Sequence, residues 1–378
     1  MKRIYMDHAA TTPTDPKVLS AMLPYFCEKF GNPSGIYGEA RDGKAAVIRA
    51  REQIASAIGC SSDEIFFTSG GSESDNWALR GVMRRSERKH VVVSAIEHQA
   101  ILNTCRYLEE RGFSVDYLKP DVFGIISEEA LKAALTPDTV LVSIMTANNE
   151  IGVIEPIAQL AACVKAYRPD ILFHTDAVQA FGQIPLNVNA LGVDMMSLSG
   201  HKIYGPKGIG ALYIKKSVNL EPLIYGGEQE NAHRAGTENV PAIVGFGEAA
   251  VMAADYASDN CQLISLRDRL IDNLIDSDID AVLNGSRESR LPGNVNITFP
   301  GIPANLMLMR LDMAGIAASA GSACTANDTT PSHVLMAIGK SRETAVCTIR
   351  FSLGRMTTME DIQYTVKAVV DIANSFKS

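Results

Sequence analysis

Along the first sixty residues the apolar positions fall at helical spacing only once, at Val47, Ile48, Ile54, Ala55 and Ile58, and this predicts a helix stopped by Gly59. The pattern then changes. Short apolar, β-branched runs follow at 64–69, 90–95, 139–147, 171–176, 194–199 and 209–215, with helical stretches at 73–84, 101–111 and 156–167 between several of them. That alternation predicts an α/β fold with a mostly parallel sheet covered by helices on both faces. From about residue 255 the order differs, with a helix on Leu263, Leu266, Leu270 and Leu274, a strand in NVNITF, and a final helix. Thr358 and Asp361 have the spacing of a capping box, and Ile362, Val366, Val369 and Ala373 form one stripe behind it. The expected division is a large domain over 16–254 and a smaller α+β domain made of 1–15 and 255–378.

Composition narrows the function. The 378 residues are 46% hydrophobic and 21% charged with a net charge of −8, which suits a globular chain and argues against a nucleic-acid partner. Asp7 and His8 stand where a signal peptide would be apolar, and no run of about 18 uncharged apolar residues follows, so no membrane partner is expected and the expected location is cytoplasmic. Seven cysteines without a CxxC pair exclude a zinc ribbon or a disulfide framework and read as reduced thiols. Cys105 and Cys163 lie in apolar helical patterns. Cys324 does not, because it sits in ASAGSACTANDTTPS, a small and polar stretch expected to be exposed and mobile over 317–330.

In parallel sheets ligands gather at the carboxyl ends of the strands. The polar groups there are Ser69, Gly70, Gly71 and Ser72 after the first run, Glu97 and His98 after the second, and Asn148, Asn149 and Glu150 after the third; Asp176 and Gln179 follow the fourth, and Ser199, His201 and Lys202 the fifth. Each has a bland reading. Lys202 could be a turn lysine, Asp176 a helix cap, and His98 a core imidazole. Together they would serve a phosphorylated aromatic aldehyde, with TSGGSES offering backbone N–H groups at a helix start. No GxxxxGK[ST] motif exists and GPKGIG has the wrong order for GxGxxG, which counts against nucleotide binding.

The segments YMDHAATTP, FGNPSG, FTSGGSESDNWAL, IEHQA, NNEIG, HTDAVQ, SGHKIYGPKGIG, RAGTEN, SAGSACT and IRFSLGR together resemble the cysteine desulfurases of the NifS/IscS type, across nearly the whole chain and in that family's order. The resemblance implies fold type I, a pyridoxal 5′-phosphate (PLP) cofactor, a homodimer, and conversion of L-cysteine to L-alanine with sulfur left as a persulfide. It assigns Lys202 to the Schiff base, Asp176 to the pyridine nitrogen, and His98 to the ring face and to proton transfer. Asn149 and Gln179 fall to the phenolic oxygen side, and Gly71, Ser72, Ser199 and His201 to the phosphate, with Thr237 reaching across from the second subunit. Asn32 and Arg350 match the substrate-carboxylate ligands, and Cys324 the sulfur acceptor. No metal is implied. The expected outlet is a protein sulfur acceptor in iron–sulfur cluster or thio-cofactor synthesis.

The chain departs from that family's pattern at Tyr37 of GNPSGIY and at Glu228 and His233 ahead of RAGTEN, where charge changes near the expected phosphate contact. Rival readings are a selenocysteine lyase or a class V aminotransferase, which need no attacking thiol, and a non-catalytic sulfur-trafficking scaffold. A thiol hydrolase built from Cys324 and His333 rests on residue types alone.

Overall fold

The computed structural model describes residues 3–83, 86–320 and 331–376. Twelve strands are found among them: β1 Ile4–Tyr5, β2 Ile65–Thr68, β3 His90–Ser94, β4 Ser114–Leu118, β5 Thr139–Ser143, β6 Leu172–Asp176, β7 Met195–Ser199, β8 Gly210–Ile214, β9 Val282–Leu283, β10 Asn294–Thr298, β11 Ile316–Ala317 and β12 Thr348–Ser352. Seven of them form one sheet in the order β2-β8-β7-β6-β5-β3-β4. Pairing is parallel from β7 through β6, β5 and β3 to β4, and only β8 runs against its neighbours.

Every residue of β3, β5, β7 and β8 is buried, as expected for strands covered on both faces. Alternation then sorts the side chains. Phe66, Val91, Val93, Leu141, Met195 and Leu212 pack with Trp77 on one face, whereas Phe67, Val92, Val142, Met196 and Ala211 pack on the other. The second face carries the helices Gly38–Ile58 and Val240–Ser258, which pack against each other. Gly59 ends the first of these in the left-handed conformation at φ 72°, which glycine adopts without steric cost.

Val240–Ser258 is long and apolar enough to cross a membrane by length and composition, although Glu248 and Asp255 interrupt it, so it is not an uncharged apolar run. Its Ile243, Phe246, Ala249, Ala250 and Ala253 are buried in the core, so here it serves as a core helix.

A separate apolar cluster joins Ile4 and Met6 to Leu266, Leu270, Val295, Ile297, Ile349, Phe351 and the final helix Met359–Asn374. Both halves of the capping box form, Thr358 N to Asp361 Oδ2 at 3.0 Å and Asp361 N to Thr358 Oγ1 at 3.2 Å. In this region β12, β10 and β9 make a three-stranded antiparallel sheet, and β1 pairs with β11. The two-residue strands β1, β9 and β11 are too short to leave a period in the sequence. β4 escapes for another reason: as an edge strand it is largely exposed and carries Ser114 and Asp116.

Candidate active site

Six strands bring their ends to one edge, and β8 starts there at Gly210, opposite Thr68 and Ser199. Gly210 has no room for a side chain, since a Cβ would stand 2.7 Å from the Gly70 Cα. The same holds at Gly71, where a Cβ would meet Val178 Cγ2 at 2.6 Å. These glycines let the start of the helix Gly71–Met83 approach the turn after β6. The first N–H groups of that helix have no intrahelical acceptor, and together with the helix dipole they favour an anion.

Asp176 ends β6 and is only 5% exposed. A turn follows, without a helix for Asp176 to cap; the carboxylate instead accepts the Val178 N–H at 2.8 Å. Burial pushes its pKa up, opposed by the neighbouring His98 ring, the Val178 bond and the Lys202 ammonium. A second carboxylate, Asp75 of the helix Gly71–Met83, is fully buried close by, and burial together with Asp176 pushes it well up as well. Glu97 behaves similarly: it accepts the Met145 N–H at 2.7 Å through one oxygen, while the other is buried without a hydrogen-bond partner among the described residues. Burial again raises its pKa. Three buried acids around one strand edge form an electrostatic environment that favours a cation.

Lys202 follows β7 in a short 3₁₀ turn, and its Nζ donates to the Ala9 carbonyl and, at 2.7 Å, to that of Ala10. Gln179 Nε2 donates to Ala9 O at 3.0 Å, and His201 Nδ1 meets Thr11 Oγ1 at 3.1 Å. The His201 imidazole is held neutral, with burial and the charges of Lys202 and Lys207 lowering its pKa to about 4. Ser199 is buried at the end of β7, beside Gly71. His98 precedes the helix Gln99–Glu109 and caps it, accepting Ala100 N–H through Nδ1 at 3.2 Å.

Arg350 on β12 reaches the same place from the other core. Its Nη1 donates to Asn149 O at 2.8 Å and its Nη2 to Asp7 Oδ1 at 2.8 Å. A cavity of about 30 Å³ lies between the two parts, lined by Lys202 and Gln179 on one side and by Asn294 and Ser352 on the other.

Other expected residues stand apart. Asn32 is exposed, and its Oδ1 closes a turn on Ser34 N at 2.9 Å. Thr237 is exposed beside a cavity of about 260 Å³ shared with Ser69, Gly208 and Arg234. Cys324 lies outside the described residues. His233, expected to alter charge near the phosphate, lies tilted against Phe66 with ring centroids 5.0 Å apart; it is Arg234 that meets the helix Gly71–Met83, through Glu73 at 2.9 Å. His333 Nε2 donates to the Glu97 carbonyl, 3.0 Å away. Among the other cysteines, burial raises the thiols of Cys60 and Cys105 to about 12, so neither is a nucleophile at neutral pH.

The strand-end pattern missed residues 7–12, whose backbone and side chains tie Lys202, Gln179, His201 and Arg350 together. The signals there were the polar run DHAATT directly after apolar Ile4, Tyr5 and Met6, and the segment YMDHAATTP in the family resemblance.

The family model for aminotransferase class-V matches residues 4–365. A cysteine desulfurase IscS of Methanosarcina thermophila is 48% identical, covering all of this chain and 93% of the relative. The human cysteine desulfurase is 46% identical over 98% of this chain and 81% of its own length. A solved NifS-like protein superimposes with a TM-score of 0.93 at 37% identity, over 99% of this chain and all of the other. A structure described as SspA in complex with cysteine gives a TM-score of 0.82 at 39% identity, over 93% and 99% of the two chains. With its sheet order, its buried strand-end acids and its lysine after β7, the chain belongs to the class-V aminotransferases of fold type I and, within them, to the PLP-dependent cysteine desulfurases of the IscS/NifS type.

Proposed function

We propose that the chain converts L-cysteine to L-alanine with PLP held at the strand-end edge, and passes the sulfur to Cys324 as a persulfide. The observation that carries this reading is the convergence of Lys202, His98 and Asp176 on one buried, acid-rich edge. The residues fit the cofactor. Asp176 is a buried carboxylate suited to a cationic ring nitrogen, and the glycine-lined helix start at Gly71 and Ser72, with Ser199 and His201, offers donors for a phosphate. Gln179 and Asn149 complete the set on the remaining polar side.

When bound, PLP supplies an electron sink for bonds broken at the substrate's Cα and Cβ. The chain does the rest. Lys202 takes and returns the Cα proton, while Asp176 stays ionised against the ring nitrogen and keeps that sink effective. Arg350 takes the substrate carboxylate, and Asn32 is assigned as its second ligand by the family resemblance alone, since its Oδ1 closes a separate turn. His98 removes a proton from one of the two thiols. The Cys324 thiolate attacks the substrate sulfur, so the C–S bond breaks, an S–S bond forms, and the carbon fragment keeps the electron pair and is protonated to alanine. Atoms balance without an external oxidant.

The functional form in this reading is a cytoplasmic homodimer in which the partner subunit's Thr237 completes the phosphate site, and which hands sulfur to a protein acceptor in iron–sulfur cluster or thio-cofactor synthesis. The large domain is 16–254, and 1–15 with 255–378 form the small one. Purified protein should be yellow and release alanine from L-cysteine, and Lys202→Ala should lose both properties while melting as the wild type does. A colourless wild type, or a Lys202→Ala variant that turns over normally, would remove the reading.

A further inference from the structure

Arg350 is 2% exposed, and its backbone is fixed by reciprocal bonds with Ser319 at 2.6 and 3.1 Å. Its guanidinium is already partnered. Nη2 meets the Asp7 carboxylate at 2.8 Å and Nη1 the Asn149 carbonyl at 2.8 Å, whereas Nε is buried with no acceptor among the described residues. A buried N–H without an acceptor is costly, so the open Nε edge is where an incoming oxygen gains most. Asp7 is held in turn by its own segment: its carbonyl accepts the Tyr5 hydroxyl at 3.0 Å and the Ala10 N–H at 3.0 Å.

A guanidinium carries one positive charge, and Asp7 has already neutralised it. We propose that Asp7 is a positioning residue that braces Arg350 with Nε facing the substrate and, through its own charge, weakens the pocket's hold on the substrate carboxylate. The inference rests on reading Arg350 as the carboxylate ligand. Its consequence falls on product release, because L-alanine carries the same carboxylate as L-cysteine and a fully charged Arg350 would retain both. Two carboxylates on one guanidinium repel each other across a few ångströms at a buried site, which corresponds to roughly a tenfold or greater loss of affinity.

The test uses borohydride-reduced holoenzyme, in which turnover is blocked, titrated calorimetrically with 3-mercaptopropionate, a carboxylate and thiol without an amino group. Asp7→Asn keeps an acceptor for Nη2 and removes the charge, so it should bind this probe about tenfold more tightly than wild type. Arg350→Lys should bind it far more weakly. In turnover, Asp7→Asn should lower KM for L-cysteine and lower kcat together, a split that general loosening of the fold would not produce. Should Asp7→Asn fail to fold, Asp7→Ser decides the sign, with a smaller tightening expected because its hydroxyl is a poorer brace. Unchanged or weaker binding in the folded Asp7 variant, with binding lost in Arg350→Lys, overturns the role of Asp7. Intact binding in Arg350→Lys overturns the reading of Arg350 and the proposal with it.

Discussion

The two edges of the seven-stranded sheet are built from the same kinds of residue and put them to opposite uses. At the edge where the parallel strands begin, charges are matched. Asp194 accepts Lys165 Nζ at 2.5 Å and Phe173 N at 2.8 Å, Arg88 reaches Thr139 O at 3.0 Å and Asp170 at 2.9 Å, and His90 Nδ1 meets Thr139 Oγ1 at 2.8 Å. At the edge where the strands end, Asp75, Glu97 and Asp176 are buried together, and one oxygen each of Asp75 and Glu97 has no hydrogen-bond partner among the described residues. Polar groups at the first edge hold the fold. Those at the second are kept short of partners, and burial raises their pKa values, as expected where a cationic group is to be received.

If that contrast is right, neutralising an acid should have opposite consequences at the two edges. Asp176→Asn should lower kcat by about a hundredfold or more, because the ring nitrogen loses its counter-charge, while the apo-protein melts at the same temperature or higher. Steady-state kinetics beside calorimetry would read both. Asp194→Asn should do the reverse, costing about 2–3 kcal/mol in urea unfolding by stranding a half-buried Lys165, with activity per folded molecule unchanged.

A subtler effect concerns pH. Glu155 also lies near the acid-rich edge, and burial raises its pKa from 4.5 to about 8 against the pull of the Ile126 N–H. An acid with a raised folded-state pKa contributes stability below its unfolded value and loses it as pH rises through the folded one. The apo-protein should therefore weaken between about pH 5 and 8, and Glu155→Gln should flatten that decline by at most about 1.4 kcal/mol per pH unit. An identical slope in the variant would show that Glu155 is not one of the groups responsible.

The strand-end edge was legible in the sequence because a parallel strand leaves an apolar run with its polar residues directly behind, as HVVVS does before Glu97 and His98 and ILFHT before Asp176. Lys202 was legible for the same reason. What could not be read lies in tertiary contacts without a local period. Asp75 sits on a helix with the spacing of a core position, and only its burial beside Asp176 reveals a second acid. Residues 7–12 form no regular element and meet Lys202 and Arg350 across more than 190 and 340 positions of sequence, so no window of the chain contains the contact. Asp176 shows the converse, since its two local readings, cap or ring partner, separate only once the structure shows a turn after it.

The account stands most directly on whether sulfur from the substrate reaches the chain itself. Wild type treated briefly with L-cysteine and analysed by mass spectrometry should carry one added sulfur on the peptide containing Cys324, and Cys324→Ala should carry none and release no alanine in the absence of reductant. Undiminished conversion of L-cysteine to alanine by Cys324→Ala, or added sulfur on another cysteine with the Cys324 peptide unmodified, would contradict the proposed transfer.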